Sequence, residues 1–454
     1  MRRSLPFSEG QLGNTILIEE MAFLDNIAGV VKDGLCTGCG TCTGVCPKGA
    51  IRMEISQGLF LPKINVEKCA SCGLCLKCCP GPAIDFRDLN SKVFGKQSED
   101  PLLGNYLACY VGHSTDREVR YNSSSGGLVT QLLIFALERG IINGALVARM
   151  RKDKPLEPEP FIARTKEEVI SASKSKYCPV PINDALKCIL KEKGKFAVVG
   201  LPCQIHGIRK AENNIKGLRE KIVLHLGIMC SHTVSFSGTE LLLRKLGVLR
   251  TQIKEIAYRG QGWPGCMLMK LKNGSSVLVP YVGNWNAYWP IFSSFFFTPR
   301  RCLMCFDETN EMSDISFGDA WLPESKDERN GESIVVARTL KGQETLSFAY
   351  SARAIFLKPI KCDKVRQSQA EPLKFKKDDI ETRLAVIEAS GQKIPEFNLE
   401  HSSHSRSVSS YIRSLFVLFN TRVAEKRSFE KILVYIPFQL FRLYYGFYKF
   451  LSHI

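Results

Sequence analysis

The sequence lacks the long hydrophobic runs of a membrane-spanning protein. Nowhere in its 454 residues do the roughly 20 uninterrupted apolar residues of a spanning helix occur. The segment 1–6 is basic, but the apolar core of a secretory signal peptide does not follow it. We therefore predict a protein that neither spans a membrane nor is secreted.

Histidine is scarce, with 7 residues, and neither a Ser-His-Asp grouping nor a paired-carboxylate motif stands out. The sequence therefore gives no support for hydrolase chemistry of either kind. A Gly-x-Gly-x-x-Gly match occurs at 260–265, but it contains Pro264 and an apolar hairpin pattern follows it. A dinucleotide-binding fingerprint has to follow a strand and open a helix, so this match predicts no nicotinamide site.

Acidic residues are outnumbered, 45 against 62 lysines and arginines, which gives a formal net charge of +17. Such an excess suggests an anionic partner, which could be an acidic protein, a phosphate-bearing cofactor, a lipid surface or nucleic acid. No nucleic-acid recognition motif accompanies the charge. We therefore predict no nucleic-acid partner, and the charge alone does not choose among the others.

Cysteine, by contrast, is abundant, with 18 residues. Eight of them spell Cys-x2-Cys-x2-Cys-x3-Cys-Pro twice, the ligand run of bacterial two-cluster ferredoxins. Zinc sites and disulfides are the alternatives, but zinc sites usually use paired Cys-x2-Cys units. Reduced thiols on this scale indicate a cytoplasmic protein.

The two ferredoxin-type runs predict two 4Fe-4S clusters. In such pairs the fourth cysteine of each run ligates the other cluster. We assign Cys36, Cys39, Cys42 and Cys79 to one cluster, and Cys69, Cys72, Cys75 and Cys46 to the second.

Beyond this region, strand-like segments alternate with helical ones, as at 196–199 and 222–226, which predicts α/β layers with a mixed, mainly parallel sheet. The expected fold is an α+β ferredoxin module, then an α/β domain, then a helical C-terminal tail. The predicted segments are an N-terminal extension 1–28, the ferredoxin domain 29–88, a linker 89–104, two α/β regions 105–190 and 191–400, and the tail 401–454.

Four further cysteines are candidates for a third cluster. Cys203 and Cys230 each follow a predicted strand, and Cys302 and Cys305 form a Cys-x2-Cys in a loop. Strand ends on one edge of a parallel sheet converge, and ligands bind there. The alternative is that Cys203 and Cys230 are small buried hydrophobes, which is common for cysteine.

A phosphate-binding turn is predicted where Ser125, Gly126 and Gly127 open a helix. Glycines there let backbone N–H groups approach a phosphate, and the helix N-terminus favours its charge. Lys176 and Tyr177 could supply a cation and a stacking ring to the same cofactor. An ordinary Ser-capped helix is the alternative.

Taken together, several stretches resemble the family of coenzyme F420 hydrogenase/dehydrogenase beta subunits. They run from about residue 105 to 365 and include Ser125-Gly126-Gly127, Ser175-Lys176-Tyr177, Gly200-Leu201-Pro202-Cys203-Gln204, Tyr258-Arg259-Gly260, Arg301-Cys302-Leu303-Met304-Cys305 and Ser313-Asp314-Ile315-Ser316-Phe317-Gly318-Asp319.

The resemblance implies FAD bound by the α/β domain and a third 4Fe-4S cluster at Cys203, Cys230, Cys302 and Cys305. It implies an oxidoreductase in which reduced coenzyme F420 gives a hydride to FAD and the clusters carry single electrons to a ferredoxin or to other subunits of a redox complex. Lys176 and Arg259 are the expected contacts to anionic cofactors. Two alternatives remain: ferredoxin-driven reduction of an organic substrate, as in the family's plant hydroxymethyl-chlorophyll reductases, and a non-catalytic electron relay.

The tail is basic and carries aromatic residues at helical spacing, as at Tyr411, Phe416 and Phe419. Such a helix suits an anionic membrane surface. It could equally pack its aromatic face on the enzyme or on a partner subunit. Peripheral contact with the inner face of the membrane is therefore one of two expectations for the tail.

Overall fold

The computed structural model describes residues 26–283, 288–399 and 407–453. Almost all of the predicted N-terminal extension, 1–28, lies outside the described residues. The strands of the described part are β1 Ile51–Ser56, β2 Leu59–Ile64, β3 Ala83–Asp85, β4 Ala108–Ser114, β5 Gly144–Met150, β6 Pro158–Ala163, β7 Phe196–Gly200, β8 Ile222–Ile228, β9 Ile253–Ala257, β10 Cys266–Leu271, β11 Ser276–Pro280, β12 Ile315–Asp319, β13 Ser333–Ala337, β14 Ile355–Ile360 and β15 Glu396–Asn398.

Most of the helices between these strands are short. They are α1 Ile27–Lys32, α2 Thr41–Gly44, α3 Leu74–Lys77, α4 Phe86–Phe94, α5 Arg117–Tyr121, α6 Leu128–Glu138, α7 Lys166–Ser171, α8 Leu186–Lys191, α9 Pro202–Asn214, α10 Leu218–Lys221, α11 Phe236–Lys245, α12 Trp289–Ser293, α13 Arg300–Leu303, α14 Leu340–Ser351, α15 Cys362–Ser368, α16 Ala370–Leu373, α17 Ile380–Ala389, α18 Val408–Ala424, α19 Arg427–Tyr435 and α20 Phe438–His453. Single 3-10 turns occur as well, and a π-helical turn covers Lys374–Asp378.

The main sheet has eight strands in the order β14-β4-β13-β12-β8-β7-β5-β6. Its centre, β12-β8-β7-β5, is parallel, and the four pairings at the two sides are antiparallel. Five of the eight strands therefore run in the same direction, although only three of the seven pairings are parallel. The sheet is mixed, as predicted. The sides are antiparallel because neighbours such as β12 and β13 are joined without the helical crossover that parallel strands require.

The ferredoxin region packs closely against the α/β domain. Gly40, which precedes α2, has a φ of +83°, and a Cβ there would lie 2.7 Å from the backbone nitrogen of Asp184. The Asn183 amide donates a hydrogen bond of 2.8 Å to the Thr41 hydroxyl. Strand β3 also pairs with β15 from the far end of the chain. The cluster-binding runs are thus fixed to the sheet domain.

The predicted linker 89–104 begins inside a helix, which corrects that boundary. Helix α4 spans Phe86–Phe94, and the Asp85 carboxylate caps it by accepting a hydrogen bond of 2.9 Å from the Asp88 backbone N–H. Leu89 is buried on its inner face. The polar residues after Leu89 obscured this helix in the sequence. Its start depends on the Asp85 cap and on the buried Phe86 and Leu89.

A three-stranded sheet, β11-β10-β9, lies between β8 and β12 in the chain. Strands β10 and β11 form the hairpin that the Asn273-Gly274 turn predicts. This sheet, α11 and α12 form a second core, which also contains two buried residues of the tail, Leu433 and Phe441.

The inner face of the tail packs on the enzyme, as one of the two expectations had it. Tyr444 stacks on Phe296 with ring centroids 5.7 Å apart, and the Lys245 ammonium donates a hydrogen bond of 3.1 Å to the Val434 carbonyl. Among the described helices, none is both long and apolar enough to cross a bilayer.

A buried ion pair fastens α18 to the body. Arg413 and Asp379 are 4% and 2% exposed, and the Arg413 Nε donates a hydrogen bond of 2.8 Å to the Asp379 carboxylate. Because breaking such a pair strands a buried charge, we expect Arg413→Ala to lower the free energy of unfolding by about 3–5 kcal/mol. Denaturant unfolding measures this. Arg422→Ala, at an exposed position of the same helix, serves as the control and should stay within about 0.5 kcal/mol of wild type; equal effects of the two would contradict the role of the pair.

Candidate functional site

The first set of ferredoxin-type cysteines lies together around α2. Burial and the neighbouring thiols of Cys39, Cys36 and Cys79 raise the pKa of Cys42. Backbone N–H groups point at the sulfurs, with Gly38 N 3.4 Å from the Cys36 Sγ and Gly81 N 3.3 Å from the Cys79 Sγ. Cys79 belongs to the second run but was assigned to this set. It therefore lies among the thiols of the first run, as the assignment requires.

The second set is nearer the surface. Burial and the thiols of Cys69 and Cys72 raise the pKa of Cys75. Cys72 is exposed and Cys69 is half-buried, whereas Cys39, Cys42 and Cys79 of the first set are buried. The Ala50 backbone N–H lies 3.3 Å from the Cys46 Sγ. The two sets thus differ in their access to solvent.

The four cysteines proposed for a third cluster line one cavity of about 830 Å³. Cys203 lies in the first turn of α9, just after β7, and Cys230 lies two residues beyond the end of β8. The two strands are parallel neighbours, so both thiols emerge at the same edge of the sheet. Cys302 in α13 and Cys305 after it complete the lining. The tertiary structure brings together residues separated by about a hundred positions.

The thiols of this cavity are close enough to repel one another when ionised. Burial raises the pKa of Cys230 to about 12, and the neighbouring Cys302 and Cys305 thiols add to the rise while Lys376 opposes it. Burial and the thiols of Cys39, Cys302, Cys305 and Cys230 raise the pKa of Cys203. Cys36 of the first set lines the same cavity, so the third set adjoins the first.

Two cations of this site were missed by sequence reasoning. Arg301 is buried, and its Nε donates 2.9 Å to the Gly81 carbonyl, which joins the Cys302 loop to the Cys-Pro segment of the second run. Lys376, buried in the π-helical turn, lines the cavity with the four cysteines. Arg301 falls within a stretch that carries the family resemblance, but nothing in the sequence marks Lys376, because lysines are mostly exposed and the segment 361–400 reads only as charged.

Gly126 and Gly127 lie in a tightly packed turn at the start of α6. Gly127 does precede the helix with a φ of +77°. A Cβ on Gly126, however, would lie 2.5 Å from the Gly112 carbonyl oxygen, and one on Gly127 would lie 3.1 Å from the Arg120 Cα. The glycines are therefore needed for close backbone packing at this turn, and their contact with a phosphate stays a prediction.

The other residues predicted to touch a flavin converge through hydrogen bonds. Arg259 is buried; its guanidinium donates 2.9 Å to Asp319 and 3.1 Å to the Tyr177 hydroxyl, and also bonds the Ser124 carbonyl. The Ser125 hydroxyl donates 2.7 Å to the Glu332 carbonyl in the same region. Within the described part of the chain, Arg259 Nε is a buried donor without a partner.

Lys176 is turned away from a cofactor role in this structure. Its ammonium donates hydrogen bonds to the carbonyls of Ala172, Ser173 and Lys174, at the C-terminal end of α7. Three donors are thereby used, which is the full capacity of an ammonium group. Lys176 therefore supports the loop that carries Tyr177 and is not placed to bind an anion directly.

His206 and His225 are buried and hydrogen-bonded to carboxylates. His225 lies between two carboxylates, 2.7 Å from Glu212 and 2.9 Å from Asp314. Burial opposes ionisation of Glu212, but His225 and Arg209 outweigh it and lower the pKa to about 2. His206 bonds Asp307 at 2.9 Å. No three His, Cys, Asp or Glu side chains of residues 26–283, 288–399 and 407–453 are grouped so that they could hold a single metal ion.

The fold and the cysteine sets define an iron–sulfur electron-transfer protein built on an α/β domain. Residues 35–84 match the 4Fe-4S dicluster domain, 109–187 the N-terminal and 193–363 the C-terminal description of the coenzyme F420 hydrogenase/dehydrogenase beta subunit. The chain belongs to the family of coenzyme F420 hydrogenase/dehydrogenase beta subunits and is an oxidoreductase.

Similar proteins cover about two thirds of the chain. The coenzyme F420 hydrogenase subunit beta of Methanothermobacter thermautotrophicus is 31% identical over 65% of this chain and 99% of its own length. One subunit of the F(420)H(2) dehydrogenase of Methanosarcina mazei is 25% identical over 70% of this chain and 83% of its own length. A chain of the F420-reducing [NiFe] hydrogenase complex from Methanosarcina barkeri superimposes with a TM-score of 0.51 at 26% identity, covering 63% of this chain and 96% of that one.

The third cysteine set yields a countable prediction. Three four-iron clusters require about twelve iron atoms per chain. We expect Cys203→Ser or Cys302→Ser to lower this to about eight and to leave two ferredoxin-type EPR signals, because one cavity loses a ligand. Cys188→Ser, a half-buried cysteine on α8, is the control and should keep the wild-type count. Eight irons in fully reconstituted wild type would refute the third site.

Proposed function

We propose that the protein transfers electrons between reduced coenzyme F420 and one-electron carriers through FAD and three 4Fe-4S clusters. One observation carries the proposal: Cys203, Cys230, Cys302 and Cys305 line a single cavity together with Cys36 of the first ferredoxin-type set. Four thiols at a sheet edge provide the ligand set of one more cluster. Its neighbour in the ferredoxin region would continue the route.

The choice of coenzyme F420 rests on the relatives and on charge. One relative from a hydrogenase and one from a dehydrogenase, both named for this coenzyme, match over most of their lengths. Coenzyme F420 carries a phosphate and a polyglutamate tail, and the chain's net charge of +17 suits such an anion. Relatives and charge therefore favour the same substrate class.

FAD is proposed because the two carriers differ in electron count. When bound, a flavin exchanges hydrides on one side and single electrons on the other. Much of the wall of the cavity is apolar, as in cofactor pockets. Pro179 and Val180 line the cavity. They follow shortly after Tyr177, whose hydroxyl accepts a hydrogen bond from Arg259.

In this proposal the chain's residues position and insulate the cofactors. Arg259, fixed by Asp319 and Tyr177, keeps a buried Nε donor available at the flavin side. The buried first set relays electrons onward. The second set, with Cys72 exposed, is where a partner protein would receive or supply them.

The two alternatives use the same arrangement of redox cofactors. Ferredoxin-driven reduction of an organic substrate would run the electrons from the exposed second set towards the cavity. A pure relay would carry electrons without hydride chemistry. Both predict clusters that react with ferredoxin and do not react with reduced coenzyme F420, so direct mixing separates them from the proposal.

Stopped-flow mixing tests the proposed reaction. The protein is reconstituted anaerobically with FAD, iron and sulfide, then mixed separately with reduced coenzyme F420, NADH, NADPH and reduced ferredoxin. We expect reduced coenzyme F420 to bleach the flavin and then the clusters. Arg259→Lys should lose most of the bound FAD and this bleaching, because a lysine cannot keep the fork of bonds to Asp319, Tyr177 and Ser124.

The control is Arg139→Lys, at an exposed arginine, which should behave as wild type. In both variants dithionite should still reduce the clusters. Cluster reduction by ferredoxin alone would favour the organic-substrate or relay alternative. Full flavin content in Arg259→Lys would place the flavin elsewhere.

We also propose that the outer face of the tail contacts an anionic membrane surface. Phe419, Leu443, Phe447 and Phe450 are 61%, 67%, 54% and 61% exposed, on the faces of α18 and α20 turned away from the body. The neighbouring Arg422, Lys426 and Arg442 are exposed as well. Contiguous exposed apolar side chains mark interaction sites, and basic flanks favour anionic lipid headgroups.

Liposome sedimentation checks this surface. We expect the wild type to sediment with vesicles containing phosphatidylglycerol at low salt, and Phe419→Ser/Leu443→Ser/Phe447→Ser to remain in solution. Leu249→Ser/Leu340→Ser removes equally exposed apolar groups elsewhere, at 64% and 74% exposure, and should still sediment. If the wild type does not bind such vesicles, the face belongs to a partner subunit.

A further inference from the structure

The third cysteine set has a buried cation beside it. Lys376 is 2% exposed and lies in the π-helical turn Lys374–Asp378. Its Nζ donates a hydrogen bond of 3.0 Å to the Asp307 carbonyl. It lines the cavity of Cys203, Cys230, Cys302 and Cys305, and it bonds the Cys305 thiol. The ammonium is therefore held among the thiols.

The neighbouring buried lysine is engaged differently. Lys377 is also 2% exposed, but it forms an ion pair with Glu311 and lies 3.5 Å from the centroid of the Phe306 ring. Lys376 forms no ion pair with a carboxylate among the described residues. Of two adjacent buried cations, one is neutralised by an acid and the other faces the thiols.

Burying a cation costs free energy unless negative charge compensates it. The groups beside Lys376 that can compensate it are the cysteine sulfurs and the buried Glu308 carboxyl, whose pKa burial raises to about 8 while Lys376 lowers it. With a cluster bound, the sulfurs would be thiolates carrying its negative charge. The turn that supplies Lys376 lies beyond residue 363, where the match to the family's C-terminal description ends. The chain thus adds this charge from outside the matched region.

We propose that Lys376 sets the reduction potential of the third cluster by stabilising its reduced form. The inference rests on the third cluster of the proposed function. Reduction adds one electron, and so one negative charge, to the cluster. A fixed positive charge in a buried, low-dielectric site favours that state over the oxidised one. Net charge and hydrogen bonds to the sulfurs are among the factors that tune such potentials.

A raised potential of the third cluster would affect the direction of electron flow. A third cluster with a raised potential accepts electrons readily from the cavity side and holds them. Removing the charge would make the cluster harder to reduce without changing its ligands. Lys376 therefore acts through its positive charge and does not ligate iron.

The test compares anaerobically reconstituted full-length proteins by iron content and by EPR-monitored redox titration. The variants are Lys376→Met, Lys376→Gln and Lys376→Arg, with Lys377→Met/Glu311→Gln as a matched control that removes a neutral ion pair. Cys203→Ser identifies which signal belongs to the third cluster. We expect every variant except Cys203→Ser to hold about twelve irons.

At the wild-type midpoint potential, Lys376→Met and Lys376→Gln should show at least a tenfold lower ratio of reduced to oxidised third cluster, a shift of about 59 mV for a one-electron couple. Lys376→Arg and the control pair should keep the wild-type midpoint. An unchanged midpoint in Lys376→Met and Lys376→Gln, an equal shift in Lys376→Arg, or loss of the third cluster's iron in the lysine variants would overturn the inference. Wild type with only eight irons would instead refute the third cluster itself.

Discussion

The close packing of the ferredoxin region on the sheet domain is the constraint on which the proposed electron route depends. Gly40 and Gly44 bring α2 against the turn around Asn183, at positions where a Cβ would collide with backbone atoms of Asp184 or Asn183. That approach sets the first cysteine set beside the edge of the sheet where Cys203 emerges. If the two regions were joined only by a flexible linker, the thiols of Cys36 and Cys203 would not share a cavity wall.

Buried charged side chains also connect the segments around the cysteine sets. Arg301 ties the loop of Cys302 to the Cys-Pro segment of the second run, and Lys376 balances the thiols. At the end of β12, Asp319 forms an ion pair with the buried Arg259, whose guanidinium also donates a hydrogen bond to the Tyr177 hydroxyl. Each pairing offsets the desolvation that would otherwise make a buried ion costly.

The tail divides its apolar side chains between a buried and an exposed face. Its inner face supplies Leu433 and Phe441 to the core around the three-stranded sheet, while Phe447 and Phe450 on its outer face remain exposed. Periodicity predicted a helix with an aromatic stripe. Periodicity did not show how wide the apolar surface of the helix is. A helix that is apolar on more than one side still exposes apolar side chains after one side has packed.

The sequence by itself determined the ferredoxin-type ligand runs, the alternation of strands and helices and the hairpin at Asn273-Gly274, because each is written in spacings of a few residues. It also placed Cys203 and Cys230 after strands. Only the tertiary structure decided that those two thiols meet Cys302 and Cys305, that the sheet is antiparallel at its sides, that the backbone packs closely at Gly126 and Gly127, and that Lys376 is buried. These facts depend on contacts between residues far apart in the chain, and a lysine's burial is stable only where distant thiols and carbonyls compensate its charge. Local patterns carry no record of such partners.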